Sequence, residues 1–294
     1  MNENIDPKKL YPSPPFDTPD QDYPGTENKM EPKADHGEES YVGYGRFKGK
    51  KVIITGGDSG IGKAVAIAFA REGADVLISY LADVEDKDAE DTAEYVRKAG
   101  RKAVLMKGDI TSEKHCKAII DKAVEEFGQI DVLINNAAFH IARKKLEDIP
   151  TDEWELTFDT NVNAIFYLCK AAVPHMPKGS SIINTSSVVA FDPSEDLLPY
   201  SATKSAVINL TANLNQILLK QGTGIRVNSV APGPVWTPLI PATKFDVETF
   251  GENTAMERPG QPVEIAPAFL FLASADASFI SGAVLPVTGG RITI

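Results

Sequence analysis

A short buried-strand pattern, Lys51 to Thr55 (KVIIT), runs directly into Gly56-Gly57-Asp58-Ser59-Gly60-Ile61-Gly62, and Ala64 to Ala70 (AVAIAFA) continues as an apolar helix. No other feature restricts the fold as strongly. Glycines permit a tight turn and a close backbone approach, while the N-terminus of the following helix offers free N–H groups and the positive end of its dipole to an anion. Strand, glycine turn and helix in that order are the context in which such a motif holds the pyrophosphate of a dinucleotide. The spacing is G-x-x-x-G-x-G, through Gly56, Gly60 and Gly62.

Further apolar runs follow at Asp75 to Tyr80, Ala103 to Lys107, Asp131 to Asn135, Ser180 to Ser186, Arg226 to Ala231 and Val284 to Val287, with helical patterns between them. Alternation of this kind implies β-α-β units with right-handed crossovers. The expected fold class is therefore α/β: a Rossmann-type, doubly wound parallel sheet of about seven strands with helices on both faces, in a single domain over residues 48–294. Residues 1–47 differ. Pro7, Pro12, Pro14, Pro15, Pro19 and Pro24 break any helix there, so an extended arm without its own core is expected, either a disordered tail or a segment anchored by Tyr11, Phe16, Tyr23, Tyr41 and Tyr44.

Tyr200 and Lys204 stand four apart in a helical pattern, hence on one face. A free phenol has a pKa of about 10, too high for a base at neutral pH, and an adjacent ammonium group is expected to lower it. Ser187, thirteen residues before Tyr200, and Asn161 complete a set able to handle a proton. A Y-x-x-x-K pair alone would be weak; after a dinucleotide turn it points to redox chemistry.

In its ordered motifs the chain resembles the short-chain dehydrogenase/reductase superfamily, in the compact single-domain form. These are Thr55-Gly56-Gly57-x-x-Gly60-Ile61-Gly62, Asp109-Ile110, Asn135-Asn136-Ala137-Ala138, Asn161, Ser187, Tyr200-Ser201-Ala202-Thr203-Lys204, and Pro232-Gly233 with Thr237. The polar arm and the stretch GGDSGIG are similar to a bacterial glucose/ribitol dehydrogenase-like or general-stress oxidoreductase subgroup. The resemblance implies catalytic roles for four residues. Tyr200 would be the acid/base, Ser187 would hydrogen-bond the substrate oxygen, Lys204 would lower the pKa of Tyr200 and hold the nicotinamide ribose, and Asn161 would hold a water linking Lys204 to solvent. It implies cofactor contacts from Gly56, Asp58, Ser59, Gly60, Ile61, Gly62, Tyr80, Asp109, Ile110, Asn136, Ala137, Pro232, Gly233, Val235 and Thr237, besides Tyr200 and Lys204. Two long helices, about 152–173 and 200–219, would pair between subunits, giving a homodimer or homotetramer.

The implied activity is NAD(P)-dependent hydride transfer between nicotinamide and a small aldehyde, ketone, sugar or polyol. The alternative from another class is a cofactor-binding regulatory or assembly protein with little turnover. Tyr80 occupies the position where the family's NAD users carry an acid, and Ser59 the position where NADP users often carry a base. Asp83, Glu85 and Asp86 nearby would repel a 2′-phosphate, which favours NAD over NADP. The substrate pocket is expected from 138–141, 188–198 and 234–256, made partly apolar by Phe139, Phe191, Leu197, Leu198 and Trp236, with His140 shaping it. A net charge of −11 disfavours nucleic acid and anionic membranes as partners. Cys116 and Cys169 are the only cysteines and suggest neither a disulfide framework nor a zinc site; no metal is expected. The N-terminus lacks a signal-peptide layout and no apolar run approaches a spanning length, so the expected location is cytoplasmic.

Overall fold

The computed structural model describes residues 5–243 and 246–291. Seven strands, β1 (Lys51–Thr55), β2 (Asp75–Tyr80), β3 (Ala103–Lys107), β4 (Val132–Asn135), β5 (Ser181–Thr185), β6 (Arg226–Pro232) and β7 (Val284–Val287), form one sheet in the order β3-β2-β1-β4-β5-β6-β7. All six pairings are parallel. Because side chains alternate across a strand, Val52 and Ile54 enter one core layer while Ile53 between them enters the other. Helices α1 (Gly60–Arg71), α2 (Asp86–Lys98) and α7 (Pro262–Ala273) cover the first face. The second is covered by α3 (Glu113–Phe127), α5 (Ala164–Ala172) and α6 (Leu198–Lys220). Both faces of the sheet are thus dry, at roughly 1.5–3 kcal/mol for each large aliphatic side chain removed from water.

The strand order reverses between β1 and β4, which leaves a crevice beyond their C-terminal ends. This is where the glycine turn, following β1, and Asn136, following β4, come together.

The long helix expected over 152–173 is interrupted. Helix α4 (Thr151–Phe158) passes into a π-helical stretch, Asp159–Asn163, before α5 begins. The inserted residue turns Asn161 inward, where its side chain accepts from the Phe139 N–H (2.8 Å) and donates to the Phe139 carbonyl (2.9 Å) and to Thr203 Oγ1 (3.1 Å). A local widening of this type re-aims one side chain without ending the helix.

Residues 5–47 lie against the body. Phe16 stacks on Trp236 (ring centroids 4.3 Å apart) and shares a small apolar cluster with Met30, Ile240, Val247 and Phe250. Arg258, buried, donates to the Pro7 carbonyl and to both carboxylate oxygens of Glu264. Glu72, at the end of α1, accepts from the Tyr41 hydroxyl, the Tyr44 N–H and the Arg46 guanidinium. Of the aromatics singled out as anchors, Tyr44 is exposed.

Candidate active site

The glycine turn is shaped by close approach. Gly56 and Gly60 have φ of +59° and +50°, in the left-handed region, and a Cβ on Gly62 would fall 1.8 Å from the Gly56 carbonyl oxygen. Thr55 Oγ1 fastens the turn to β4 by accepting the N–H groups of Asn136 (3.0 Å) and Ala137 (3.1 Å), and Asn136 Nδ2 donates to the carbonyls of Thr55 and Gly56. Asn135 instead bonds Asn184 (2.8 Å) within the sheet and has a structural role. Above this cradle opens a cavity of about 660 Å³.

Ser187 follows β5, and Tyr200 and Lys204 lie in the first turns of α6, so all three reach the cavity from neighbouring elements. The Ser187 side chain neighbours the Tyr200 phenol. Lys204 Nζ donates to the Thr185 carbonyl (2.8 Å) and sits 5.2 Å from the centroid of the Tyr200 ring. Burial pushes the Tyr200 phenol up to about 12, against the lowering effect of Ser187. Burial also pushes Lys204 down to about 7. The expected depression of the phenol by Lys204 is therefore not the net direction here, because burial strips hydration from both groups. His140 packs against Tyr200 with centroids 4.7 Å apart, and burial and the Lys204 charge hold it down to about 3. It is a neutral wall at physiological pH.

At the far end of the cavity, Asp109 and Ile110 follow β3, with Asp109 capping the Thr111 N–H. Tyr80 closes β2 and donates its hydroxyl to Asp86 (2.9 Å). Glu85 caps the N–H groups of Leu81 and Ala82, and Asp58 lies buried beside it. Burial first, then the Glu85 charge, push Asp58 up to about 8, so this carboxyl keeps its proton at neutral pH.

The family model described as Enoyl-(Acyl carrier protein) reductase matches residues 56–291. The chain belongs to the short-chain dehydrogenase/reductase family. It is 44% identical over 275 residues to the glucose and ribitol dehydrogenase of Daucus carota, covering 92% of this chain and 94% of that one. An Arabidopsis thaliana protein named NADPH-dependent aldehyde reductase 1, chloroplastic, is 41% identical over 276 residues, with coverages of 92% and 95%. Among solved structures, a short chain dehydrogenase from Burkholderia cenocepacia J2315 in complex with NADP superposes with a TM-score of 0.78 at 30% identity, over 83% of this chain and 98% of its own.

Of the residues to which the short-chain dehydrogenase/reductase resemblance gives a catalytic or cofactor-binding role, Gly62 and Asn161 do not line the cavity; the others do. Gly62 acts by permitting the contact with Gly56. The Asn161 side chain is engaged by Phe139 and Thr203, which makes it a clamp on the wall beside Tyr200. Phe139, Val188, Val189 and Leu197 form the apolar part of the substrate end, along with Leu239 and Phe250. Three expected lining residues are elsewhere: Trp236 is fully buried against Phe16 with its indole N–H on the Pro32 carbonyl (2.8 Å), and Phe191 and Leu198 face outward. Lys244 and Phe245, within the expected pocket segment, lie outside the described residues, as do 1–4 and 292–294 of the expected arm and domain. Sequence reasoning missed Pro24 and Gly25 on the cavity wall; Tyr23, read only as an anchor of the arm, and Glu85, read as a charge unwelcoming to a 2′-phosphate, line it as well. Both cysteine thiols are buried and pushed up to about 12, mainly by that burial, and therefore inert. Among the described residues no helix is long and apolar enough to cross a membrane, and no cluster of His, Cys, Asp or Glu could hold a metal ion.

Proposed function

We propose that this protein is a nicotinamide-dependent oxidoreductase that interconverts an alcohol and a carbonyl group, with Tyr200 as the acid/base. The observation that carries the reading is that one cavity joins the glycine cradle to the Ser187–Tyr200–Lys204 set. The cradle fits a dinucleotide: Gly56 and Gly60 line it, a side chain at Gly60 would crowd Thr237 across it, and the α1 N-terminus points into it. Bound nicotinamide would supply or accept the hydride. Tyr200, protonated at neutral pH, would donate its proton to a carbonyl oxygen that is becoming an alcohol, while the Ser187 hydroxyl hydrogen-bonds the same oxygen. In the opposite direction the phenolate must form first, and an ammonium Lys204 would stabilise it. Asn161 would keep the wall at Phe139 in register with α6.

For the coenzyme, the corner formed by Asp58 and Glu85 already forces one of its own carboxyls to hold a proton, which makes it a poor seat for a dianionic 2′-phosphate and favours NAD. The NADP and NADPH in the names of two relatives favour the other coenzyme and lend the NAD preference no support. The substrate end joins an apolar wall to Asn253 and Arg291, and the relatives named for glucose, ribitol and aldehydes support a small aldehyde or a polyol.

Titration with NADH and NADPH, followed by turnover on a panel of aldehydes, ketones, sugars and polyols with Tyr200→Phe as control, tests the reading. The expected result is turnover that Tyr200→Phe lowers on the order of 100-fold or more with coenzyme affinity kept. Tight binding without turnover on any substrate would instead favour a regulatory or assembly role.

A further inference from the structure

Resting on the coenzyme reading above, we propose that the N-terminal arm is part of the cofactor site, with Tyr23 covering the adenosine end of the bound dinucleotide. Tyr23, Pro24 and Gly25 form part of the cavity wall. The Tyr23 ring meets Phe139 edge-on at 5.0 Å, and burial first, then the charges of Glu85, Asp58 and Asp109, hold the proton on its phenol. Those carboxyls come from the glycine turn, the approach to α2 and the loop after β3. These three elements bracket the adenosine corner and line the same cavity as Tyr23, whose ring stands on the wall between that corner and Phe139.

The arm is tied on either side of Tyr23. Gly25 lies so close to the segment after Thr237 that a Cβ there would be 2.3 Å from the Pro238 carbonyl oxygen. The Glu27 carboxylate accepts the N–H of Gly60, in the glycine turn itself, at 2.7 Å, and the Glu27 N–H donates to Asp88 of α2 at 2.8 Å. His36 bridges Glu27 (2.8 Å) and Glu38 (3.0 Å), and Lys63 of α1 pairs with Glu38. The strap is thus fastened to the elements that would hold the cofactor. With it in place the cavity still measures about 660 Å³, inside the range of small-molecule sites, so the strap is a wall and not a plug. The family match begins at residue 56, and the NADP-bound relative spans 83% of this chain while being itself almost wholly covered. The strap therefore adds retention to a site the rest of the fold can build.

An aromatic ring on a purine face changes affinity by about 5- to 150-fold, and a strap that must lift before release acts mainly through the dissociation rate. The test uses the full chain with Tyr23→Ala and Tyr23→Phe. Equilibrium and stopped-flow fluorescence would follow NADH and NADPH, and calorimetry would follow 5′-AMP and nicotinamide mononucleotide. Tyr23→Ala is expected to weaken the dinucleotide and AMP by on the order of ten-fold through faster release. Tyr23→Phe should keep wild-type affinity, and nicotinamide mononucleotide should not distinguish the variants. AMP binding unchanged in Tyr23→Ala overturns the proposal. Should that variant not fold, hydrogen exchange on the wild type decides: amides of 23–27 are expected to gain protection when AMP is added, and no gain overturns it. A wild type that binds neither dinucleotide would sink the coenzyme reading itself, a result separable from loss of the strap alone.

Discussion

His36 offers the sharpest test of how the arm is held. Burial alone would depress the imidazole, but the Glu27 and Glu38 carboxylates outweigh it and Lys63 opposes them only in part, leaving the group held up to about 9. Against an ordinary value of about 6.5, and at about 1.4 kcal/mol for each pH unit, the difference couples about 3 kcal/mol to the docked arm. A pKa raised on folding contributes stability that is complete below about 6.5 and is lost as pH rises through about 9. On the acid side Glu38, which burial would raise but His36 lowers to about 2, contributes above its ordinary range near 4.3 and loses that contribution as pH falls toward 2. His36→Gln removes the titration while keeping a hydrogen-bonding side chain. Urea unfolding of both proteins, read by the fluorescence of Trp236 where it stacks on Phe16, isolates the effect because other groups cancel in the difference. The stability gap should narrow by about 3 kcal/mol between pH 6 and pH 10. A gap that does not change with pH would refute a charged His36 as the latch.

Three further outcomes follow from the same geometry. Gly62→Ala places a methyl group 1.8 Å from the Gly56 carbonyl, so the turn must open; coenzyme titration should show binding lost even where circular dichroism reports a folded chain. Because burial keeps the Tyr200 phenol protonated with a pKa of about 12, alcohol oxidation should accelerate as pH rises from 7 to 10 while carbonyl reduction does not, and matched initial rates in the two directions would check this. Leu156, Phe166 and Ile217 are exposed on α4, α5 and α6, where a second copy of the chain would cover them; Phe166→Glu should convert a dimer or tetramer to monomer in light scattering.

Much of this architecture was legible in the chain, and the reason is periodicity. The five inner strands are runs buried on both faces, β3 and β7 at the edges only partly so, and the limits of the runs in sequence are the limits in the sheet, to within a residue at β4, β5 and β6. The π stretch at Asp159–Asn163 was not legible. Nothing in its own sequence demands an extra residue in the turn; the demand comes from the Phe139 backbone, twenty-two positions away, and from Thr203. The same holds for Trp236, whose apolar surface suits a substrate pocket but is claimed by Phe16 from the arm.

The arm shows most clearly why local reading stops where it does. Its prolines exclude an α-helix and its charges suggest solvation, yet the attachments are isolated contacts with groups far along the chain: Glu27 on Gly60, Phe16 on Trp236, Arg258 on Pro7, and single backbone bonds such as Phe16 N–H to the Glu248 carbonyl and Gln21 N–H to the Pro241 carbonyl. No such contact repeats with a helical or strand period, so none leaves a pattern. What was visible was the inventory of aromatics and carboxylates in a segment without its own core. Their effect depends on the body supplying partners in number, and here it does so around the mouth of the dinucleotide cleft. A segment with neither a strand nor an α-helix to stabilise it can then stay in place through side-chain burial, charge pairing and a few backbone hydrogen bonds, which makes its hold dependent on pH in a way that a strand of the sheet is not.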